Sequence, residues 1–406
     1  MKQTLLTIPL CLAISASGIL AQPVEVLSYG SIPPRIRNSN PTLAAARFRI
    51  DEAVGRMEQS GRLPNPSFET GAEHNVRNAE GAIVFGFSQK LPVTNRLSLE
   101  KEITAAGIRA AEVEVRDVER LLIAEAQAEY VKFVSIRQRL VLLERQKKLS
   151  GELAEFISEA SERGEVSSLD AAQAKLAALR IETAARQLRT KETTVLGKLK
   201  PLVGIPPDAA VSPSGNLPAI SVPSIKAVDR PDLDAARIGV EAAATGIALQ
   251  QARRRDDIEA TVFVAGERTE DAPEGLENEG IIGFKLSIPL PFWNDNSGNI
   301  KEATAIRSRK EKEVKAMECG IRHESQTALT EMRQWADLIS DLENKLLPLA
   351  KEQTELLDNA YRQGQGDLQA VLSSREQTLE LLASKIDAMR EFRLARIRYE
   401  AELGVR

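Results

Sequence analysis

Few residues in this chain have the types and spacing that chemistry requires. Of 406 residues two are His and two are Cys. His74 falls in a predicted loop between strands and His323 on a predicted helix, each without the neighbours a metal site needs. The stretch DNSGN (295–299) resembles the start of a calcium loop, but the spacing to a bidentate Glu is wrong, and a strand-to-helix turn is the better reading. Residues 267–279 hold six acidic side chains against one Arg, which suits a solvated outer loop able to gather cations. Arg253, Arg254 and Arg255 read as a solvated basic helix end, with contact to anionic headgroups as the lesser alternative. No Ser/His/Asp set, phosphate-cradling loop or catalytic acid pair is present, so the sequence supports neither an enzyme nor a cofactor or metal site.

The chain has helix in place of chemistry. Charged residues make up 28% and aromatics only 4%, a balance that suits long, partly wet helices more than a large compact core. A net charge of −4 leaves no basic excess to neutralise phosphates, which argues against a nucleic-acid partner. Residues 1–21, with Lys2 and an apolar run from Leu5 to Leu20, read as a secretory signal peptide cleaved after Ala21. Cys11 lies inside that run behind Pro9 and Leu10, not behind the small residues of a lipidation site, and Cys319 reads as a packed helix residue. No other stretch is apolar for long enough to form a membrane-spanning helix.

Prolines divide the remainder. Eighteen of the 19 lie in residues 9–92 and 201–291, which leaves two long stretches for helical arms. Between the arms, residues 201–230 form a Pro-rich extended linker. The two halves also match: Asn40-Pro41 with Arg230-Pro231, Gly86-Phe87 with Gly283-Phe284, and Gly164 with Gly364. Such marks describe a tandem duplication, residues 22–200 and 231–406, rather than a solenoid.

Each repeat reads as a helix, two strands and a long helical hairpin. Strands are expected at about 66–73 and 82–91, then at about 260–267 and 281–290, all near the length that crosses a bilayer when tilted. Alternation puts Phe85 and Phe87 on one face of the first pair and Phe284, Leu286 and Ile288 on one face of the second. Seven of the 16 aromatics, Phe263 among them, fall in residues 66–92 and 258–293, as a lipid-facing band with interfacial rings would require. Four strands cannot close a barrel, whereas three copies supply twelve. The first arm is expected over about 95–200, turning at Gly164 with Ser167 and Asp170 as a capping box. The second is expected over about 299–403, interrupted at Pro348 and turning at Gly364 and Gly366 with Asp367 as cap.

Three stretches then carry a resemblance: IPLPFWNDNSGNIKEATA (288–305), with Pro289, Pro291, Asn296 and Gly298 at a strand-to-helix junction; RGEVSSLDAAQAK (163–175); and LLPLAKEQTELLDNAYRQGQGDLQAVL (346–372). Together they resemble the outer-membrane efflux factor family, the TolC-like exit ducts of tripartite pumps, over roughly residues 38–404. The resemblance implies a mostly α chain with a small membrane β-barrel, assembled as a homotrimer with a 12-stranded barrel continued by a 12-helix periplasmic tunnel. It also implies partners: a periplasmic adaptor, an inner-membrane pump and outer-membrane lipid. It places Asp170 and Tyr361 where the family latches neighbouring tip helices, puts Gly366 where the latch has an arginine, and puts Ala370 and Ser373 where well-studied members have acidic constriction residues. Likeness to shorter members points to metal cations as cargo, against drugs or other small molecules. The rival reading is a periplasmic coiled-coil adaptor or structural scaffold without a pore.

Overall fold

The computed structural model describes residues 24–404 except 78, 216, 225–227 and 272–274. The expected signal peptide lies outside the described residues. Short elements come first: β1 (Glu25–Ser28), α1 (Ile32–Ser39) and α2 (Pro41–Gln59). A hairpin follows, β2 (Ser67–His74) and β3 (Gly81–Leu91), then the first helical arm, α3 (Arg96–Glu162) and α4 (Ser168–Leu202). After β4 (Val211–Ser214), the second half repeats the series with α5 (Pro231–Ala252), β5 (Ile258–Asp271), β6 (Gly275–Ser287), α6 (Ser297–Asp341), α7 (Leu347–Arg362) and α8 (Leu368–Leu403).

The 67 residues of α3 run without a Pro or a break, which at about 1.5 Å per residue gives roughly 100 Å. The second arm is interrupted between α6 and α7 by a π-turn at Leu342–Leu346. Pro348, which has no N–H to donate, follows it directly, and such insertions are a usual cause of kinks. No single apolar seam runs the length of α3. Ala106, Val113, Val131 and Ala160 are buried, but Leu149 and Phe156 are exposed, while Tyr130, Phe133, Ile136 and Ile157 are buried instead. The reason is that α3 packs against α2, α4, α5 and α8, so its buried face moves around the helix along its length.

Two sheets form. β1 and β4 pair in parallel, from Glu25 opposite Val211 to Ser28 opposite Ser214. This small sheet was not anticipated within the extended linker, because four-residue strands, one containing Pro213, show no alternation. α3 holds it: the buried Tyr130 hydroxyl reaches the Leu27 carbonyl at 3.0 Å and the Ser214 carbonyl at 3.1 Å. The linker is fixed further by Arg393 Nε and Arg396 Nη1 of α8, which donate to the carbonyls of Pro218 and Ala219, and by Asp229 N, which donates to Leu403 O. The N-terminal segment, the linker and the chain's last helical turn thus form one collar around the arms. Tyr130→Phe, which leaves both carbonyls without this donor, is expected to cost about 1–3 kcal/mol, read as a lowered urea midpoint with an unchanged slope.

The second sheet is antiparallel in the order β2-β3-β5-β6. Its register runs Phe68, Phe87, Val262, Phe284 across one row and Thr70, Phe85, Val264, Ile282 across the next. β5 and β6 extend further than expected: residues 268–271 and 275–279, read from sequence as an acidic loop, continue the ladder to Asp271 opposite Gly275. Acidic side chains separated by Gly and Thr hide the strand from a hydrophobic pattern, although they alternate within it. At the other end β6 stops at Ser287, before Pro289, so Ile288 lies just outside the strand.

Candidate functional site

None of the four clusters of buried apolar residues contains a side chain from β2, β3, β5 or β6. The sheet stands clear of the helical core. One of its faces is apolar and open: Phe68, Phe85, Phe87, Val262, Val264, Ile282, Phe284 and Leu286 are 46–83% exposed. Their rings meet along the surface, with Phe68 6.3 Å from Phe85 and 5.1 Å from Phe87. Ile288 continues this exposed set beyond the strand end. An apolar surface of this extent on one protomer marks contact with lipid or protein.

The opposite face is mainly polar. Ser88 donates to Glu69 at 2.9 Å and its oxygen lies 2.8 Å from that of Ser67, which fixes the hydroxyl row across β2 and β3. One aromatic departs from the expected arrangement. Phe263 alternates with Val262 and Val264 and therefore lies on the polar face, in the row Glu69, Gly86, Phe263, Gly283. Aromatic content located the strands, but the period of two decides the face. Among the described residues neither outer edge, on β2 or on β6, has a paired strand, and unpaired edges of this length invite pairing with another chain.

At the junction below the sheet, Asn296 is the only described non-Gly residue with positive φ, at φ 60° and ψ 16°. Its amide donates to Gln250 O at 2.7 Å, tying the turn before α6 to the end of α5. Asn294 and Asp295 accept from the backbone N–H groups of Asn296 and Ser297 at 3.1 and 3.0 Å. Hydrogen bonds from Ser297, side chain first and then backbone, hold the Asp295 carboxyl below the usual range, with a smaller contribution from Arg254. The DNSGN stretch therefore spends its oxygens on turn geometry. Pro289 and Pro291 fill the segment between β6 and this turn, with Phe292 and Trp293 edge-to-face at 6.2 Å. Gly298 has open space about its Cα. Arg96, at the start of α3, clamps Asp257 with Nε at 2.9 Å and with Nη2, and Arg253 pairs with Glu100 at 2.9 Å. Asn296→Ala loses the tie and strains the left-handed turn, an expected cost of about 1–3 kcal/mol, whereas Asn296→Gly should recover part of it; thermal melts of the two variants check this.

The far end of the arms carries two turns that are the same bond for bond. Glu165 N donates to Ala160 O at 2.9 Å and Gln365 N to Ala360 O at 3.0 Å; Gly164 N donates to Ser161 O and Gly364 N to Tyr361 O, both at 3.0 Å. Gly164 and Gly364 have φ of +78° and +73°, the left-handed helix end that Gly tolerates best. The following caps differ. The Ser167 hydroxyl accepts from Leu169 N at 3.1 Å, but Asp170 returns no bond of the expected capping box, and Asp367 takes the N-cap position with no side-chain bond. Extended backbone at Ser167 and Asp367 starts each helix without the full motif.

The turns of both arms share one apolar cluster. Ile157, Ala174 and Leu368 are buried, with Tyr361, Val166 and Leu372 packed against them. Burial, then the negative charges of Asp170 and Asp367, raises the Tyr361 hydroxyl above its ordinary pKa. The structure thus brings Tyr361, Asp170 and Asp367 together within one protomer. Gly366 is sterically confined, since a Cβ there would lie 2.8 Å from Tyr361 N. Ile157 and Leu368 were not singled out from sequence; one apolar residue on each side of a predicted turn was the available signal. Higher up, Arg139 joins α3 to α8 through Asp387 at 2.9 Å, and Arg375 holds Asp358 at 2.8 Å between α8 and α7.

Residues 32–204 match the family model described as outer membrane efflux protein. No curated protein matches the chain. Among solved structures, CusC aligns at TM-score 0.77 and 16% identity over 92% of this chain and 91% of its own. The outer-membrane channel OprN aligns at 0.75 and 16%, over 93% and 90%, and the outer membrane protein VceC from Vibrio cholerae at 0.75 and 17%, over 93% and 96%. The family match thus covers residues 32–204, and the fold is shared with these outer-membrane proteins over more than nine tenths of the chain.

Proposed function

We propose that this chain is the outer-membrane exit duct of an efflux system, conducting small molecules or metal cations passively from the periplasm to the exterior. The observation that carries this reading is the four-stranded sheet, apolar and open on one face, polar on the other, unpaired at both edges and held clear of the core above two long helical hairpins. Three copies supply twelve strands and close the edges. The eleven residues of β3 extend about 36 Å, which at the usual tilt spans an apolar band of about 25 Å. In this reading Phe85, Phe87, Phe284, Leu286 and Ile288 face lipid and the Ser88 and Glu69 face lines the pore.

The arms then form the twelve-helix periplasmic tunnel, the collar its equator, and Gly164, Asp170, Tyr361, Gly364 and Asp367 the tip that meets a periplasmic adaptor and an inner-membrane pump. The junction residues Pro289, Pro291, Asn296 and Gly298 turn the barrel into the tunnel. The repeats 22–200 and 231–406, joined by the linker 201–230, supply equivalent halves of each protomer's share. The duct is no enzyme in this account, since all energy comes from the pump. Expression with its leader, membrane fractionation and comparison of unheated with heated gel samples test the reading. The expected result is outer-membrane recovery of a heat-sensitive species about three times the mass of the chain; a soluble periplasmic monomer would contradict it and favour a scaffold or adaptor.

A further inference from the structure

We infer that the polar face of the sheet carries a binding belt for organic cations with a flat aromatic body. The inference rests on the duct reading, in which that face lines the pore, and it assigns a cargo class that the reading leaves open. Its centre is the row Glu69, Gly86, Phe263, Gly283. A Cβ at Gly283 would fall among the Phe263 ring atoms, 2.6 Å from Cε1 and 2.8 Å from Cε2. The ring therefore lies over the bare backbone of β6 and turns its π face away from the sheet, toward the pore.

Gly86, on the other side of Phe263, has no side chain either, so Glu69 and Phe263 are the only side chains of their row, and the Glu69 carboxylate is held by the Ser88 hydroxyl at 2.9 Å. Two strand spacings separate the two, about 10 Å. That is the span of a planar aromatic cation, which would lay its body on Phe263 and direct its charge toward Glu69. The apolar character continues in the next row with Val84, Ala265 and Ile281, and the row beyond returns to carboxylates with Glu73, Glu267 and Glu279. Toward the junction the same face carries Lys90, Glu259 and Lys285, so over the whole face the carboxylates of Glu69, Glu73, Glu259, Glu267 and Glu279 outnumber the two lysines. A hydrated metal ion has no use for the ring, and an anion meets carboxylates on both sides of it.

Ethidium, a planar aromatic monocation whose emission rises in apolar surroundings, is the probe. It is titrated against the purified full chain in zwitterionic vesicles. Saturable binding is expected, weakened about fivefold by Phe263→Leu, which keeps volume without the π face, and about threefold by Glu69→Gln. Phe284→Leu, on the other face, should leave binding unchanged. Absence of saturable binding, or equal affinity in wild type, Phe263→Leu and Glu69→Gln, overturns the belt. Recovery of each variant as the heat-sensitive trimer is scored alongside. A chain that never forms that species sinks the duct reading itself, whereas a trimer without Phe263-dependent binding sinks the cargo assignment alone.

Discussion

Phe284→Arg is expected to abolish recovery of the trimer from the outer membrane. Phe284 is 66% exposed in the protomer and completes the row begun by Phe68, Phe87 and Val262. On a lipid-facing surface, a charge near the bilayer midplane costs about 2–4 kcal/mol, and three copies in one barrel bring that to about 6–12 kcal/mol. This rivals the whole stability of an ordinary domain. Thr261→Arg, on the opposite face beside Ser88 and Lys285, introduces the same charge into the expected pore and should leave trimer recovery within about twofold of wild type. The contrast between the two, quantified as heat-sensitive trimer per outer-membrane preparation, separates a membrane surface from a sheet buried elsewhere, which would tolerate neither or both.

The second large effect is expected at the tip. Ile157 is 0% exposed and joins the first arm to Leu368 and Tyr361 of the second. Truncation to Ala should cost about 2–5 kcal/mol locally, because the deleted methyl groups leave a cavity between two hairpins. Few other contacts hold the arms together there. The Arg139–Asp387 pair is about one third exposed and contributes at most about 1 kcal/mol. Between α7 and α8, the Thr354 hydroxyl meets those of Ser374 and Thr378 at 2.8 and 2.9 Å, so hydroxyls occupy part of that seam in place of packed methyl groups. Ile157→Ala is therefore expected to raise hydrogen exchange and tryptic cleavage over residues 346–375 while the sheet and collar keep wild-type protection. Equal loss of protection throughout the chain would show that the tip cluster is not a separate cooperative unit.

Sequence reading went furthest where one physical requirement has one residue solution. Gly164 and Gly364 mark left-handed helix ends, and both turns close with the same bonds. Alternation in β3 separates Phe85 and Phe87 from Ser88 without any tertiary information. It goes less far where a pattern is shared between tasks. Phe263 was grouped with the lipid-facing rings because it is aromatic, although its register places it with Thr261 and Ala265; only Gly283 opposite it shows where the ring goes. The acidic upper halves of β5 and β6 look like a loop because water faces them, yet their backbone pairs as a ladder. The β1–β4 pair depends on Tyr130, about 100 residues away from Leu27, and no local signal announces it. At the tip, single positions such as Asp170 were legible as candidates, but the apolar contact that unites the arms is non-local and emerges only from packing.

The central claim is that the sheet is a share of a closed barrel, lipid outside and water within. The most direct measurement is a cysteine scan of residues 82–91 in a Cys319→Ser background, labelled on intact cells with a membrane-impermeant maleimide. The account predicts labelling at 82, 84 and 90, which face the aqueous pore, slower labelling at 86 and 88, which neighbouring side chains cover, and protection at 83, 85, 87, 89 and 91, with brominated lipid quenching a tryptophan placed at 85 or 87. Labelling without alternation, or stronger labelling at the odd positions, would contradict it.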